Sequence, residues 1–134
     1  MENNQNRHFP SNDALAFLGD AVHSLYIRRE LVEEGVSRAK DLNILAQKYV
    51  TAGAQARAFS VIEDMLTVEE KDIFRRAANS SHLRHPKNTP ISVYRTASGF
   101  EALLGALFIC GNYERIEELL KKIKTEVDRY DTEN

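Results

Sequence analysis

Apolar residues recur along this chain at intervals of three and four, the period of a helix, and nowhere alternate over a run as a half-buried strand requires. Ser11 or Asn12 can cap a first helix that runs to about Glu34. Its expected core stripe is Leu15, Leu18, Val22 and Leu25, with Ala14 and Ala21 beside it. Gly35 ends that helix as a glycine just past its last turn. A second helix starts at Ser37 and carries Leu42, Leu45 and Tyr49. The small residues Thr51, Ala52, Gly53 and Ala54 break or kink it, and a third helix continues through Ala56, Phe59, Ile62 and Met65. Thr67 and Glu70 have the spacing of a capping box and open a fourth helix, to about Ala78. Residues Asn79 to Thr89 read as a loop, and Pro90 suits the first turn of a long helix that reaches Cys110. Gly111 stops it, and Asn112 caps a last amphipathic helix through Ile116, Leu119, Leu120, Ile123 and Val127. The expectation is an all-α protein of about six to seven helices without internal repeats. One domain spans 11–130, after a loose polar tail over 1–10 and before a frayed end from Asp131.

Composition narrows the class. A chain of 134 residues, 43% of them hydrophobic, suits one globular core. Lys and Arg number 18 against 20 Asp and Glu, for a net charge of −2. A nucleic-acid partner would therefore need a local basic patch, or a metal to offset its phosphates. Cys110 is the only cysteine, which excludes an intrachain disulfide, fits a reducing compartment and reads as core filler. Met1 to His8 lack the apolar segment of a signal peptide, and no apolar run approaches the ~20 residues that span a bilayer. The expected location is the cytoplasm.

Two carboxylates stand in apolar runs: Asp20 in Ala14–Val22 and Glu101 in Gly99–Leu107. An unpaired buried charge is costly, so such groups are paired, protonated or bound to a metal. At about 100° per residue Asp20 lies almost opposite Leu18 and Leu25, on a line with Asp13, Ala16, Ser24 and Ile27. That line is bordered by apolar residues, which puts Asp20 at the seam of two packing surfaces. An ordinary exposed or capping aspartate is the competing reading. Glu101 shares a stripe with Tyr94, Ser98 and Gly105 on a helix apolar around most of its girth. Gly105 leaves room there for another backbone or a ligand. The competing reading for Glu101 is a buried salt bridge with an arginine such as Arg28 or Arg95. If the fold brings the two carboxylates together, they suit a hard cation such as Mg²⁺, which needs one or two carboxylates plus waters and substrate phosphate. Zinc spacing, a phosphate-binding G-x-x-x-x-G-K-[ST] loop and a G-x-S-x-G nucleophile elbow are all absent. The densest basic cluster is Arg75-Arg76, His82, Arg84, His85 and Lys87. It can follow an RNA backbone without reading bases, or serve as a plain solvated loop. His23, beside the acidic stripe, is expected at the surface or the core edge.

Phe17-Leu18-Gly19-Asp20-Ala21-Val22 resembles the signature of the ribonuclease III catalytic domain, and Phe100-Glu101-Ala102-Leu103-Leu104-Gly105-Ala106 its second metal-ligand motif. Ala14–Val22, Pro86-Lys87-Asn88-Thr89 and Tyr94-Arg95 are similar, in order and spacing, to the mini-ribonuclease III branch. The likeness runs from about Asn12 to Val127. It implies an all-helical ribonuclease III fold and a homodimer that cleaves double-stranded RNA. It implies Mg²⁺ as cofactor, with Mn²⁺ able to substitute, and Asp20 and Glu101 as metal ligands and the core of catalysis. It points to maturation of the large-subunit (23S) ribosomal RNA precursor, without an appended double-stranded-RNA-binding domain. Grip on RNA then comes from the dimer surface, with Arg76, Arg84, His85 and Lys87 as candidates, or from a ribosomal protein partner. Asp13 and Ser98 are candidates for an outer ring around the metal. The larger enzymes carry carboxylates where this chain has Ala16 and Ser98, and the mini branch also lacks them. Three departures are from the mini branch itself: Ser24 replaces a Glu, Gly53 replaces a Lys, and residues 76–81 replace a more basic stretch. Each removes charge near the expected site. They motivate the alternative of a catalytically weak or inactive RNA-binding or ribosome-assembly module on the same fold. A plain helical scaffold with two internal salt bridges is the third reading.

Overall fold

A computed structural model describes residues 9–80 and 87–133. Among the described residues there are six α-helices and no strands: α1 (Asn12–Glu33), α2 (Ala39–Val50), α3 (Ala52–Ile62), α4 (Val68–Ser80), α5 (Ile91–Ile109) and α6 (Tyr113–Glu133). A 3₁₀ turn over Glu63–Met65 extends α3. None of the described helices is long and apolar enough to cross a membrane. Most of the tail expected over 1–10 lies outside the described residues. Helix α6 continues past Asp131 to Glu133.

Local chemistry sets the helix ends. The Ser11 side chain accepts from the Ala14 amide and opens α1. Thr51 ends α2 and caps α3 by accepting from the Ala54 amide, so the small-residue stretch is a break. The Thr67 amide donates to the Glu70 carboxylate, and the Glu70 amide to the Thr67 hydroxyl, a reciprocal capping box. Arg115 of α6 grips the same carboxylate through Nε and Nη2, at 2.9 and 2.8 Å, and so ties α4 to α6. Gly35 and Gly111 follow α1 and α5 with φ of 93° and 73°, values that L side chains rarely adopt.

Helix α5 is central. It packs against α1, α3, α4 and α6. Phe100, Leu103 and Leu104 are fully buried among Val22, Ile62, Ile116 and Leu119. Its tightest contact is with α1. A Cβ built on Gly19 would stand 1.6 Å from the Glu101 carbonyl oxygen, and one built on Gly105 would stand 2.1 Å from the Leu15 carbonyl oxygen. Each helix thus presents a glycine to the other's backbone. The room expected at Gly105 is filled by the α1 main chain.

That contact shifts the buried face of α1 round from its expected stripe, keeping Leu15 and Val22 in the core and losing Leu25. The buried face runs through Leu15, Gly19, Val22, His23, Tyr26 and Leu31. Leu18 is half-buried, and Leu25 is 58% exposed where a core position was expected. The hydrophobic stripe of Leu18 and Leu25 yields to the glycine face because only the glycine face admits α5 so closely. Cys110 departs from expectation too: it caps the C-terminus of α5 and is exposed, because the helix has already emerged from the core.

Gly19→Ala and Gly105→Ala should each lower the unfolding free energy by about 3 kcal/mol or more, the upper end for overpacking, since main chain cannot yield as a side chain does. Gly53→Ala should leave stability unchanged or raise it by up to about 1 kcal/mol, because a Cβ there meets only the Arg57 side chain at 3.4 Å. Urea denaturation of the three variants checks both expectations.

Candidate active site

The glycine contact sets the position of both acidic side chains. Asp20 follows Gly19 and stands about 100° further round α1, at the edge of the face pressed on α5. Glu101 offers its carbonyl to Gly19 and its side chain to the same seam. Both carboxylates line one cleft of about 210 Å³, together with Asn12, Asp13, Ala16, Phe17, Ala77, Ser80, Tyr94 and Ser98. Asp20 is exposed, and Glu101 is partly buried. The second packing surface expected beside Asp20 is the end of α4, at Ala77 and Ser80.

The electrostatics follow from that placement. Burial is the largest influence on Glu101, followed by the charge of Asp20 and the hydrogen-bonding approach of the two carboxyl groups; together they push it up to about 8. The Gln55 amide opposes the rise by donating from Nε2 to Glu101 Oε2 at 3.3 Å. Among the described residues no arginine or lysine pairs with Glu101, so the salt-bridge reading does not hold. Arg28 donates to the Ser24 hydroxyl at 3.2 Å, and Arg95 Nε is buried without a hydrogen-bond partner.

His23 corrects another expectation. It is 1% exposed rather than at the surface, packs perpendicular to Phe100, and meets Gln55 Nε2 through Nδ1 at 3.1 Å. Burial pushes it down to about 4, against a smaller opposing influence from Asp20. Gln55, 2% exposed on α3, went unremarked as a site residue. Its sequence signals are its place in the stretch Thr51-Ala52-x-Ala54-Gln55, which resembles the mini branch around Gly53, and a polar side chain on the α3 face that also buries Ala58, Phe59 and Ile62.

Of the other candidates, two belong to the cleft. Asp13 is exposed and Ser98 is buried, and both line it. Arg76 is exposed on α4 and ion-paired to Asp72 at 3.2 Å, while its backbone carbonyl accepts from Asn12. Lys87 is exposed just before α5. Arg84 and His85 lie outside the described residues.

A model of the ribonuclease III domain matches residues 13–112. The chain belongs to the ribonuclease III family. Within it, the similarity is to proteins named mini-ribonuclease 3. The Thermoanaerobacter protein is 46% identical, over 80% of this chain and 75% of its own. The Streptococcus pneumoniae protein is 43% identical, over 80% and 85%. The Staphylococcus aureus protein is 36% identical, over 96% of this chain and 98% of its own. A crystal structure from Fusobacterium nucleatum superposes with a TM-score of 0.76 at 32% identity, covering 83% of this chain and 90% of that one. A ribonuclease III-type enzyme is an endoribonuclease, and the family's members generally work with a divalent metal.

The donor set fits such a metal. Among the described residues no group of three or more His, Cys, Asp or Glu side chains stands together as a metal site, so the protein would offer a cation these two carboxylates alone. Two carboxylates opening onto a solvent-filled cleft suit a hard cation that completes its sphere with water or phosphate. Asp20 and Glu101 also lack any other neutralising cation among the described residues.

The carboxylate pair leaves a signature without metal. Between about pH 4.5 and 8 the folded protein keeps a proton on Glu101 that the unfolded chain has released. This contribution to stability is full below the lower value and is lost as pH rises through the upper one. His23 acts in the opposite sense, with stability lost as pH falls from 6.5 toward 4. In chelator, the melting temperature of Glu101→Gln minus that of the parent should therefore rise from pH 5 to about 8 and level off above it, with the His23 contribution cancelling. A flat difference would count against the coupled pair.

Proposed function

We propose that this endoribonuclease cleaves double-stranded RNA with Mg²⁺ held by Asp20 and Glu101, with Mn²⁺ able to substitute. Its proposed substrate is the large-subunit (23S) ribosomal RNA precursor, taken as a homodimer, with a ribosomal protein as a further partner in presenting the RNA. The observation that carries this reading is the meeting of two like-charged groups from distant parts of the chain in one open cleft, a costly arrangement without a counter-charge.

Bound Mg²⁺ supplies Lewis-acid stabilisation of charge growing on the scissile phosphate and acidifies water for the attack. The chain's own residues supply the rest. Asp20, exposed at the cleft mouth, would approach the phosphate, and Glu101 would hold from the partly buried side. Asn12, Ser80, Tyr94 and Ser98 set amide and hydroxyl groups around the cleft, suited to phosphate oxygens and ribose 2′-hydroxyls. Asp13 and Ser98 stand where they could order waters around the cation. Lys87, and Arg76 once its link to Asp72 is shared with RNA, would follow the phosphate backbone, with Arg84 and His85 assigned to the same task.

The dimer reading rests on α1. Ala14, Phe17, Ala21, Leu25 and Val32 recur at three-, four- and seven-residue spacing on its solvent face. Phe17 is 84% exposed, and Leu25 and Val32 are exposed as well. A helix with apolar stripes on two sides suits burial on both. Because Phe17 also borders the carboxylate cleft, a partner docked on this face would lie beside the site. Two centres related by a dyad could then cut the two strands of one duplex.

Asp20→Asn and Glu101→Gln should each slow Mg²⁺-dependent cleavage of a double-stranded precursor RNA by about 10²-fold or more, the scale on which loss of one transition-state charge stabiliser acts. Cleavage at parental rate in both variants would overturn the assignment. RNA binding by the parent without cutting in Mg²⁺ or Mn²⁺ would favour the assembly-module reading. Phe17→Glu combined with Leu25→Glu should convert a dimer to a monomer in sedimentation velocity, and an unchanged sedimentation coefficient would remove α1 as the interface.

A further inference from the structure

Behind Glu101, outside the lining of the cleft, lie two buried polar side chains that the chemistry above leaves without a task. Gln55 reaches from α3 into the junction of α1 and α5. Its Nε2 lies 3.1 Å from His23 Nδ1 and 3.3 Å from Glu101 Oε2. An amide nitrogen has two hydrogens to give and accepts none. Set between a ring nitrogen and a carboxylate oxygen, it donates one hydrogen to each. His23 Nδ1 must then present its lone pair, with the ring hydrogen on Nε2. Against the ionised carboxylate that a cation requires, the reversed amide would set oxygen against oxygen, so in that state its neighbours determine its orientation.

Each member of this chain of contacts is itself held. His23 is buried on α1 and lies perpendicular to the Phe100 ring, with centroids 5.1 Å apart. Gln55 is nearly sealed from solvent. Glu101 is anchored through its main chain, because Gly19 fits against its carbonyl. Three helices therefore meet at one carboxylate oxygen. A glutamate side chain has three rotatable bonds, and a ligand that must be ordered by the ion itself loses affinity in doing so.

We propose that Gln55, braced by His23, is a positioning residue: its amide fixes Oε2 of Glu101 and leaves the other carboxylate oxygen free for the cation. This inference rests on the reading of Asp20 and Glu101 as the metal-holding pair. It assigns Gln55 no contact with RNA or with the reacting phosphate. Hydrogen-bonding partners of this kind behind a metal ligand affect metal affinity or activity by about 10–100-fold.

The test uses the full chain, with Mn²⁺ alone as the probe and free Mn²⁺ followed by its electron paramagnetic resonance signal. Gln55→Met keeps length and approximate volume and removes the donor. It should weaken Mn²⁺ binding by about 10–100-fold. Its cleavage rate at limiting Mn²⁺ should fall and recover as Mn²⁺ is raised, with an unchanged KM for RNA. Parental Mn²⁺ affinity in this variant overturns the inference. Asp20→Asn in the same titration separates the two readings. If Asp20→Asn loses Mn²⁺ while Gln55→Met keeps it, only the role of Gln55 falls; if Asp20→Asn keeps parental affinity, the metal-holding pair falls and takes this role with it. Should Gln55→Met fail to fold, the parent's side-chain amide resonances decide. The Gln55 pair should exchange slowly with solvent and shift on Glu101→Gln. Resonances like those of exposed glutamines, unmoved by that substitution, would overturn the proposal.

Discussion

The meeting of two backbones, Gly19 on α1 against Glu101 on α5, is the constraint on which the rest of the molecule depends. A Cβ at Gly19 has no room, and the reciprocal glycine at 105 has none either. With side chains between them, packed helices stand about 8–10 Å apart; glycine at both contact points lets the two main chains approach closely. The approach seals Phe100, Leu103 and Leu104 into the core and leaves Asp20 and Glu101 on the same edge of the seam. Stability and the acidic cleft therefore share one origin. A change that spread α1 from α5 would lose core packing and part the carboxylates in the same movement.

This arrangement costs the fold something at neutral pH. Glu101 resists ionisation because it is partly buried and because Asp20 stands opposite. The strain is local: Gln55 partly offsets it from behind, while the cleft stays open to water in front. On the proposed function, Asp20 and Glu101 would hold a cation that neutralises the pair in place of the proton. Glu70 shows the other solution to a buried carboxylate. It is paired with Arg115 and bonded by the Thr67 amide, with no opening left for a ligand. Comparing the two separates a carboxylate that holds the fold together from one kept available.

What could be read in the sequence divides along the same line between local and tertiary causes. Helix ends were legible at Ser11, Gly35, Thr67 and Gly111, because each is decided by a few neighbouring atoms. The acidic pair was legible as two charges in apolar settings, and the family resemblance placed both. The buried face of α1 was not, since Leu18 and Leu25 make as good a stripe as Leu15 and Val22 until α5 selects the side with glycine. Cys110 misled for a related reason: an apolar neighbourhood in sequence says nothing of where the helix leaves the core. Gln55 escaped notice because its importance lies in two partners far from it along the chain.

The distribution of basic charge completes the argument. Arg29, Lys48, Arg76, Arg115 and Lys124 are each paired with an acidic side chain, so these five charges are partly answered within the protein. With a net charge of −2 and two carboxylates in the cleft, the bare protein offers RNA little long-range attraction. On the proposed function, a cation held by the pair would offset the acidic character of the cleft toward phosphate as well as supply the Lewis acid. Ser24 and Gly53, which stand in place of charged residues in the mini branch, push in compatible directions. The loss of a Glu at position 24 eases that acidic character, and the loss of a Lys at position 53 removes attraction. The acidic pair is kept, and on the proposed function the balance of RNA affinity would shift onto the metal and a partner subunit.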